Sequence, residues 1–252
     1  MLFVVKKCIN PSWGKFVKFV SKKDFNQAAV EFIRSSAENA IKKNGVFSVA
    51  LSGGTTPLGV YKLLAEEPFN RLFPWYATHI FWGDERCVPY TDERSNYKSA
   101  YENLISKINI PTENIHKIPF ITNPEKAAAE YEKELKLFFK IKNNSLPEFD
   151  LILLGMGNDG HTASLFPNSK SLKENKKWVI ETDIPEMEPQ VKRITFTLPV
   201  INNAREVLFL ISGKEKQKIV DEIIKGDAEA QKTYPAAMVK PKGKLTWMMC
   251  EE

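Results

Sequence analysis

The feature that most constrains the fold of this chain is an apolar run that stops at two glycines and is followed by an acid and a histidine. Residues 151–154 are all apolar, Gly155 and Gly157 come next, and Asp159 and His161 follow. Such a run, bounded by turn residues, is typical of a strand buried on both faces of a parallel sheet. Ligands bind beyond the carboxyl ends of such strands. The sequence therefore predicts a strand over residues 150–155 that delivers Asp159 and His161 to a pocket.

The same order of strand, turn and helix recurs along the chain. Apolar runs predict further strands at residues 46–51, 79–82, 115–118, 193–198 and 207–211. Helical spacing and capping residues predict helices at residues 22–44 (capped by Ser21), 58–65, 97–108, 124–140 and 213–225. Strands that alternate with helices predict an α/β fold whose parallel sheet has helices on both faces. No linker divides the chain, so residues 1–252 are expected to form a single domain.

Both ends of the chain and one long segment add to this plan. Residues 2–9 and 15–20 predict a small N-terminal β-hairpin. Residues 167–192 are polar and contain a single apolar trio at 178–180, so they are interpreted as a long excursion beside the pocket. Residues 245–249 predict an exposed apolar segment, which forms either an edge strand or a contact with another chain.

Composition and charge favour a globular protein that binds a small anion. Of the 252 residues, 43% are hydrophobic and 27% are charged, which is ordinary for a soluble domain. The net charge of +5 comes from 36 Lys and Arg against 31 Asp and Glu, without a block of like charges. This modest excess suits an anionic small substrate, and neither a basic stripe nor a nucleic-acid module is present in the sequence. No nucleic-acid partner is expected.

Cysteine usage and the N-terminus predict a cytoplasmic protein. Cys8, Cys87 and Cys250 are odd in number and far apart, which argues against a disulfide framework and against a zinc site. The apolar run at the N-terminus is too short for a signal peptide, and the sequence has no apolar window of 18 residues. We therefore expect no membrane association.

Two groups of residues are candidates for binding a phosphate. The turn Ser52-Gly53-Gly54-Thr55 lies between a strand and a helix that we expect to start at Pro57. Backbone N–H groups in such a turn bind anions. Arg193 and Lys216 begin later elements and have the charge to neutralise a phosphate. Each signal also has a simpler interpretation. A glycine turn usually has no ligand, and Arg193 and Lys216 are explained equally well as solvated surface residues.

Asp159, His161 and Arg86 are the candidates for catalysis. A histidine titrates near neutral pH and can take a proton from water, while a carboxylate two residues earlier can fix its tautomer or bind a substrate hydroxyl. Arg86, in the sequence Asp-Glu-Arg after a strand, can stabilise charge that develops on a carbonyl oxygen. His79 and His116 are interpreted as structural histidines and Cys87 as a packing residue. The simpler alternatives are a solvated Asp-Glu-Arg cluster and a histidine that caps backbone.

The sequence does not favour a cofactor. The glycines at 155 and 157 do not extend into the dinucleotide pattern, and no phosphate-loop lysine follows the turn at residues 52–55. Three histidines without a nearby carboxylate–histidine spacing argue against a metal site.

Four motifs resemble those of the 6-phosphogluconolactonases, the lactone-hydrolysing enzymes of the oxidative pentose phosphate pathway. The resemblance covers nearly the whole chain and is most specific in the third motif. The motifs are Leu-Ser-Gly-Gly-Thr-Thr-Pro at 51–57, Gly-Asp-Glu-Arg-Cys-Val-Pro at 83–89 with Ser-Asn at 95–96, the stretch from glycine to proline at 155–167, and Arg-Ile-Thr-Phe-Thr at 193–197.

This resemblance implies a modified Rossmann-like sheet, shared with the glucosamine-6-phosphate deaminases, and neither a metal nor a nucleotide cofactor. It implies that His161 activates water and that Asp159 and Arg86 are its partners in the active site. The phosphate of a sugar lactone would contact the turn at residues 52–55, Arg193 and Lys216. The resemblance to this family thus implies hydrolysis of 6-phospho-D-glucono-1,5-lactone, and we expect a monomer.

Two alternatives remain open. The related deaminases use a glutamate shortly after the motif histidine, where this chain has Phe166. The absence of that carboxylate favours the lactonase. A non-catalytic sugar-phosphate sensor would keep the anion site but would not need Asp159, His161 and Arg86 together. The chain departs from the family at Cys250, where an aspartate is usual after the last apolar run.

Overall fold

The computed structural model describes residues 5–9, 14–143 and 145–252. The strands are β1 (Val5–Ile9), β2 (Lys15–Phe19), β3 (Phe47–Leu51), β4 (Thr78–Trp82), β5 (Asp84–Arg86), β6 (Ile115–His116), β7 (Leu151–Leu154), β8 (Val179–Thr182), β9 (Arg193–Phe196), β10 (Glu206–Ser212) and β11 (Lys244–Cys250). The helices are α1 (Lys22–Asn44), α2 (Leu58–Leu64), α3 (Phe69–Leu72), α4 (Asn96–Asn103), α5 (Pro124–Phe138), α6 (Leu198–Asn202), α7 (Gln217–Lys225) and α8 (Ala230–Thr233).

The main sheet has the strand order β1-β2-β11-β10-β7-β3-β4-β6. Every neighbouring pair from β2 to β6 is parallel, and only β1 runs antiparallel to its neighbour β2. The predicted α/β class, the mainly parallel sheet and the N-terminal hairpin are therefore confirmed. Residues 2–4 and 10–13 of the predicted hairpin lie outside the described residues.

The order of strands changes direction at β3. The chain moves from β3 to β4 and β6 on one side, and then returns to β7, β10 and β11 on the other side. Because parallel crossovers are right-handed, opposite directions put the connecting helices on opposite faces of the sheet. Helices α1, α2 and α4 contact one another in succession on one face. The switch point between β3 and β7 is where such a sheet opens a crevice for a ligand.

Helix α1 illustrates how local sequence determines an element. The hydroxyl of Ser21 accepts a hydrogen bond from the N–H of Asp24 at 3.1 Å and so caps the first turn. Gly45 ends the helix with φ +79° and donates its N–H to the carbonyl of Ile41 at 2.8 Å. Apolar residues spaced at three and four positions, among them Phe25 and Ala29, form the buried face.

A second, antiparallel sheet with the order β5-β9-β8 corrects three predictions. Residues 84–86, expected as a charged strand end or a solvated cluster, form β5 and pair with β9. The strand predicted at 193–198 lies in this sheet as β9 rather than alternating with helices in the main one. The excursion at 167–192 contains β8, because the apolar residues 178–180 are buried there.

The last strand is also placed differently from the prediction. Strand β11 lies between β10 and β2 and is hydrogen-bonded on both sides, so it is not an edge strand. Its residues from Leu245 to Cys250 are buried rather than exposed. The N-terminal hairpin supplies β2 as the outer neighbour, and a pairing between the two ends of the chain leaves no local signal in the sequence. Cys250, the position that departs from the family, is fully buried in this strand.

Several helix boundaries differ from the predictions. Helix α4 ends at Asn103, and a separate 3₁₀ turn, Ile105–Lys107, follows it. Residues 214–216 form a 3₁₀ turn ahead of α7. Helices α3, α6 and α8 were not predicted, since four or five residues are too few for a helical period to be visible. None of the helices among the described residues combines the length and the apolar character needed to cross a membrane.

Candidate active site

A cavity of about 200 Å³ lies at the carboxyl ends of β3, β4, β7 and β10, next to the switch point. Its wall contains eight of the nine residues that the sequence analysis singled out. These are Ser52, Gly53, Gly54, Thr55, Arg86, His161, Arg193 and Lys216. The ninth, Asp159, contacts the cavity only through its hydrogen bond to His161.

Hydrogen bonds from Tyr61 and two glycines determine the conformation of the turn after β3. The hydroxyl of Tyr61 donates to the carbonyl of Ser52 at 2.7 Å and accepts from its N–H at 3.2 Å. Gly54 has φ +84°, which favours glycine. A Cβ on Gly53 would lie 1.9 Å from Oδ1 of Asn96, so any side chain there would displace Asn96. Helix α2 runs from Leu58 to Leu64, close to the predicted range of 58–65, and Pro57 lies directly before it.

Three cationic side chains converge on this cavity with donors left over. Nε of Arg86 and Nε of Arg193 are buried without a hydrogen-bond partner in the described structure. Nζ of Lys216 likewise makes no ion pair or hydrogen bond with the described residues. Burial lowers the pKa of Lys216, against the opposing effect of Glu215. Unpaired buried donors are costly, and an anion in the cavity would satisfy them.

Arg193 is the most buried of the three cations, with 3% of its surface exposed. One terminal nitrogen donates to the carbonyl of Pro189 at 3.3 Å, and the guanidinium lies 5.2 Å from the ring centre of Phe166. Burial lowers the pKa of Arg193; Asp84 opposes this change and Arg86 adds to it. Two guanidinium groups beside each other make this part of the cavity attractive for a doubly charged anion.

His161 and Asp159 form a hydrogen-bonded pair after β7. Nδ1 of His161 lies 2.6 Å from Oδ1 of Asp159, which also accepts the N–H of His161 at 3.1 Å. Gly157 permits this turn, because a Cβ there would lie 2.1 Å from Nδ1 of the ring. Burial raises the pKa of Asp159, but the hydrogen bond and charge of His161 outweigh it, so the pKa is lowered. An ionised Asp159 holds the proton on Nδ1 and leaves Nε2 as an acceptor.

The other ring nitrogen of His161 is free. Nε2 makes no hydrogen bond with the described residues, and the ring centre lies 4.7 Å from that of Phe166, with the two planes tilted by 40°. A larger cavity of about 750 Å³ adjoins on the far side of Asp159 and Phe166. It is lined by residues 166–171 and 181–187, so the excursion lines this second cavity, whereas none of the residues 167–192 lines the cavity that contains His161.

Two polar residues of the cavity wall, Asp84 and Asn96, were not among the predicted site residues. Asp84 is 6% exposed, and its Oδ2 accepts the hydroxyl of Ser164 at 2.7 Å. Nδ2 of Asn96 donates to the carbonyl of Asp84 at 2.9 Å, while Oδ1 of Asn96 has no hydrogen-bond partner in the described structure. Strand β5 turns Asp84 and Arg86 to the same side, but three consecutive charged residues show no alternation of polarity that would have revealed this in the sequence.

The remaining candidates lie elsewhere. His79 and His116, interpreted as structural, contact each other outside the cavity, with Nδ1 of His79 3.0 Å from Nε2 of His116. Cys87 is half-buried, and burial raises the pKa of its thiol to about 11. A neutral thiol of this kind is a poor nucleophile. The described residues hold no cluster of three or more His, Cys, Asp or Glu side chains arranged for a metal ion.

Comparison with known proteins identifies relatives across almost the whole chain. Residues 20–247 match the family model described as glucosamine-6-phosphate isomerases/6-phosphogluconolactonase. A 6-phosphogluconolactonase from Synechocystis is 38% identical, covering 92% of this chain and 94% of that protein. A probable 6-phosphogluconolactonase 5 from Arabidopsis thaliana is 42% identical over 84% of this chain and 87% of that protein.

Solved structures agree with these relatives. The 6-phosphogluconolactonase from Thermotoga maritima superposes with a TM-score of 0.80 at 35% identity, covering 94% of this chain and all of that one. The enzyme of the same name from Trypanosoma brucei gives a TM-score of 0.82 at 30% identity, covering 93% and 95%. The fold of this chain is therefore that of these 6-phosphogluconolactonase structures.

Proposed function

Because this chain belongs to the glucosamine-6-phosphate isomerase/6-phosphogluconolactonase family, we propose that it hydrolyses 6-phospho-D-glucono-1,5-lactone to 6-phospho-D-gluconate in the oxidative pentose phosphate pathway. The observation that carries this proposal is one cavity that combines unpaired cationic donors with a free histidine nitrogen. Arg86, Arg193 and Lys216 line it together with His161.

The phosphate is proposed to bind between the turn at residues 52–55, Arg193 and Lys216. The turn has no charged side chain of its own, so its polar contribution comes from backbone N–H groups and the hydroxyls of Ser52 and Thr55. Two cations whose pKa values are lowered by burial gain most from a dianion, because it offsets the cost of keeping charge out of water.

His161 is proposed to act as the general base. Nε2 takes a proton from water while the water oxygen forms a bond to the lactone carbonyl carbon, which gives a tetrahedral intermediate. The carbon–oxygen bond to the ring oxygen then breaks, and protonated His161 returns the proton to that oxygen. The product carboxylic acid ionises in water. Asp159 stabilises the imidazolium between these two steps.

Arg86 is proposed to stabilise the oxyanion of the intermediate. One of its terminal nitrogens donates to the carbonyl of Arg94, while Nε stays buried without a partner on the cavity wall. A donor fixed before the reaction costs no reorganisation when the charge develops. Hydrolysis of a lactone changes no oxidation state, so this mechanism needs neither a redox cofactor nor a nucleotide.

Phe166 favours hydrolysis over the deaminase reaction of the same family. Its ring contacts the ring of His161 in a tilted arrangement and lies 5.2 Å from the guanidinium of Arg193, at the position where the resemblance to the deaminases would call for glutamate. An aldose–ketose isomerisation requires proton transfers between carbon and oxygen, and a phenyl ring cannot carry a proton. The chain is further proposed to act in the cytoplasm, as its cysteine usage predicts.

The decisive experiment measures two reactions on the same preparation. Lactone is generated in situ by oxidation of glucose 6-phosphate, and acid release is followed above the spontaneous rate. Ammonia release from glucosamine 6-phosphate is measured in parallel. Accelerated lactone hydrolysis without ammonia is the expected result. Ammonia release would identify a deaminase, and binding of 6-phosphogluconate without either reaction would identify a sensor.

A further inference from the structure

Glu85 is a buried carboxylate that the proposed mechanism does not use. Only 4% of its surface is exposed, and it forms no ion pair with any described residue. Four donors surround it instead. They are the N–H of Arg86 and the N–H of Asn96, each 2.7 Å from Oε1, the N–H of Tyr97, 2.7 Å from Oε2, and the hydroxyl of Ser95, 3.0 Å from Oε2.

These donors come from both ends of one loop. Arg86 is the last residue of β5, and residues 95–97 form the start of α4. The carboxylate of Glu85 therefore joins the two ends of the loop that connects β5 to α4. Burial raises the pKa of Glu85, against the four hydrogen bonds, which favour the charged form. The N-terminus of α4 adds partial positive charge on the same side.

The guanidinium of Arg86 is tied to the same loop. It donates to the carbonyl of Arg94, the residue directly before the segment that Glu85 holds. Arg94 is itself held by Asp92, whose Oδ1 accepts its N–H at 2.9 Å and its Nε at 2.8 Å. The position of the Arg86 side chain therefore depends on where residues 94–97 lie.

Glu85 itself is turned away from the cavity. Side chains alternate along a strand, and in β5 it is Asp84 and Arg86 that line the cavity wall. Glu85 faces the start of α4 and does not border that cavity. Any influence on the reaction must therefore pass through the residues that it holds.

We propose that Glu85 is a positioning residue for the reaction: by pinning residues 95–97 to β5, it holds the guanidinium of Arg86 in the place where the oxyanion forms. This inference rests on the proposed function of Arg86. It predicts that the benefit of Glu85 disappears once the guanidinium is absent.

The test is a double-mutant cycle of Glu85→Gln and Arg86→Ala, measured as kcat/KM on lactone formed in situ. Glutamine keeps the shape of the side chain, but its NH₂ group cannot accept the hydrogen bonds from the two donors that face one of the carboxylate oxygens. Glu85→Gln is expected to lower kcat/KM by roughly tenfold, within the range of coupling between residues in contact. In the Arg86→Ala background the same change is expected to have little effect.

Asp150→Asn provides the matched control. Its carboxylate is also buried and accepts the N–H and hydroxyl of Ser48, but at the opposite end of the sheet. It is expected to lower the unfolding midpoint without changing kcat/KM. If Glu85→Gln does not fold, Ser95→Ala enters the same cycle; it removes one of the four donors to Glu85 together with the hydroxyl that caps α4.

Equal losses from Glu85→Gln in both backgrounds would overturn the inference, because Glu85 would then act independently of Arg86. A loss of stability without loss of kcat/KM would overturn it as well. The cycle is also measured as affinity for 6-phosphogluconate, whose carboxylate is the product of the attacked carbonyl. A wild-type protein without lactonase activity contradicts the proposed function, whereas additive affinities contradict the role of Glu85.

Discussion

Two histidine–carboxylate pairs in this protein have almost the same geometry and very different surroundings. Nδ1 of His161 lies 2.6 Å from Asp159, and Nδ1 of His116 lies 2.7 Å from Glu134. The histidine side chains are 16% and 12% exposed, and the carboxylates 38% and 40%. Neither the contact nor the degree of burial separates a candidate catalytic histidine from a structural one.

The second ring nitrogen makes the difference. Nε2 of His116 is bonded to His79, and its ring stacks on Phe81 with the centres 4.2 Å apart. Nε2 of His161 has no partner among the described residues and borders a cavity that also contains Arg86 and Arg193. A histidine can accept a proton from water only if a nitrogen is free and water can reach it. A candidate general base is therefore recognised by the surroundings of its free ring nitrogen.

Replacement of the two histidines is expected to produce the largest difference in activity between the pairs. His161→Ala is expected to lower kcat by roughly 10²–10⁴, the usual contribution of a general base. His116→Asn is expected to leave kcat unchanged and to lower the unfolding midpoint, because it removes buried hydrogen bonds. Steady-state kinetics on fresh lactone, with thermal unfolding of both variants, measures the two effects. Full activity in His161→Ala would contradict its assignment as the base.

The cations around His161 provide the second test. Lys216→Gln is expected to raise KM roughly tenfold or more with little change in kcat, since a phosphate is bound equally in the ground and transition states. Lys214→Gln on the same 3₁₀ turn is the control, because Lys214 is exposed and does not line the cavity. Charge reversal at Arg193 is expected to raise KM as well. An unphosphorylated lactone hydrolysed equally well would contradict the phosphate site.

The carboxylate partners provide a smaller and sharper contrast. Asp159→Asn keeps the shape but no longer fixes the proton on Nδ1 or stabilises the imidazolium, so kcat is expected to fall, but by less than in His161→Ala. Glu134→Gln makes the same chemical change beside His116 and is expected to have no effect on kcat. Equal kcat values for the two variants would remove the distinction between the pairs.

The fold was predictable from the sequence wherever the signal is local. The glycines after β7 and the cap at Ser21 act within a few residues, so their consequences are visible in the sequence itself. The pairing of β11 with β2 joins opposite ends of the chain, and the pairing of β5 with β9 joins segments about 110 residues apart. Neither contact leaves a local periodicity, which is why an edge strand and a charged loop were predicted instead.

The candidate site divides in the same way. His161 follows strand β7 and Arg193 begins strand β9, so both could be predicted as charged or titratable residues at strand ends. Asn96 belongs to the cavity wall only because its side chain reaches Asp84 and packs against Gly53. Glu85 was visible as a charge, but its burial depends on four donors that α4 and its own neighbour supply. Polar residues that are buried by tertiary contacts cannot be told from solvated ones by residue type.

The smallest expected effect concerns pH and the structural histidines. Burial, and then the neighbouring charge of His116, lower the pKa of His79, while Glu113 opposes the change. A histidine with a lowered folded pKa binds its proton more readily in the unfolded chain, whose value is about 6.5. Its contribution to stability is therefore complete above pH 6.5 and is lost as the pH falls below that value towards the lowered folded pKa.

The variant His79→Gln removes this titration while keeping a side chain that can donate to Nε2 of His116. The difference in urea midpoint between pH 7.5 and pH 5 is expected to be smaller in His79→Gln than in the wild type. Glu134, which pairs with His116, and Glu113 are the acidic groups beside the pair, and both are unchanged in the variant. An unchanged difference would mean that His79 does not resist protonation. The contrast between a histidine kept neutral by packing and one left free for chemistry would then rest on His161 alone.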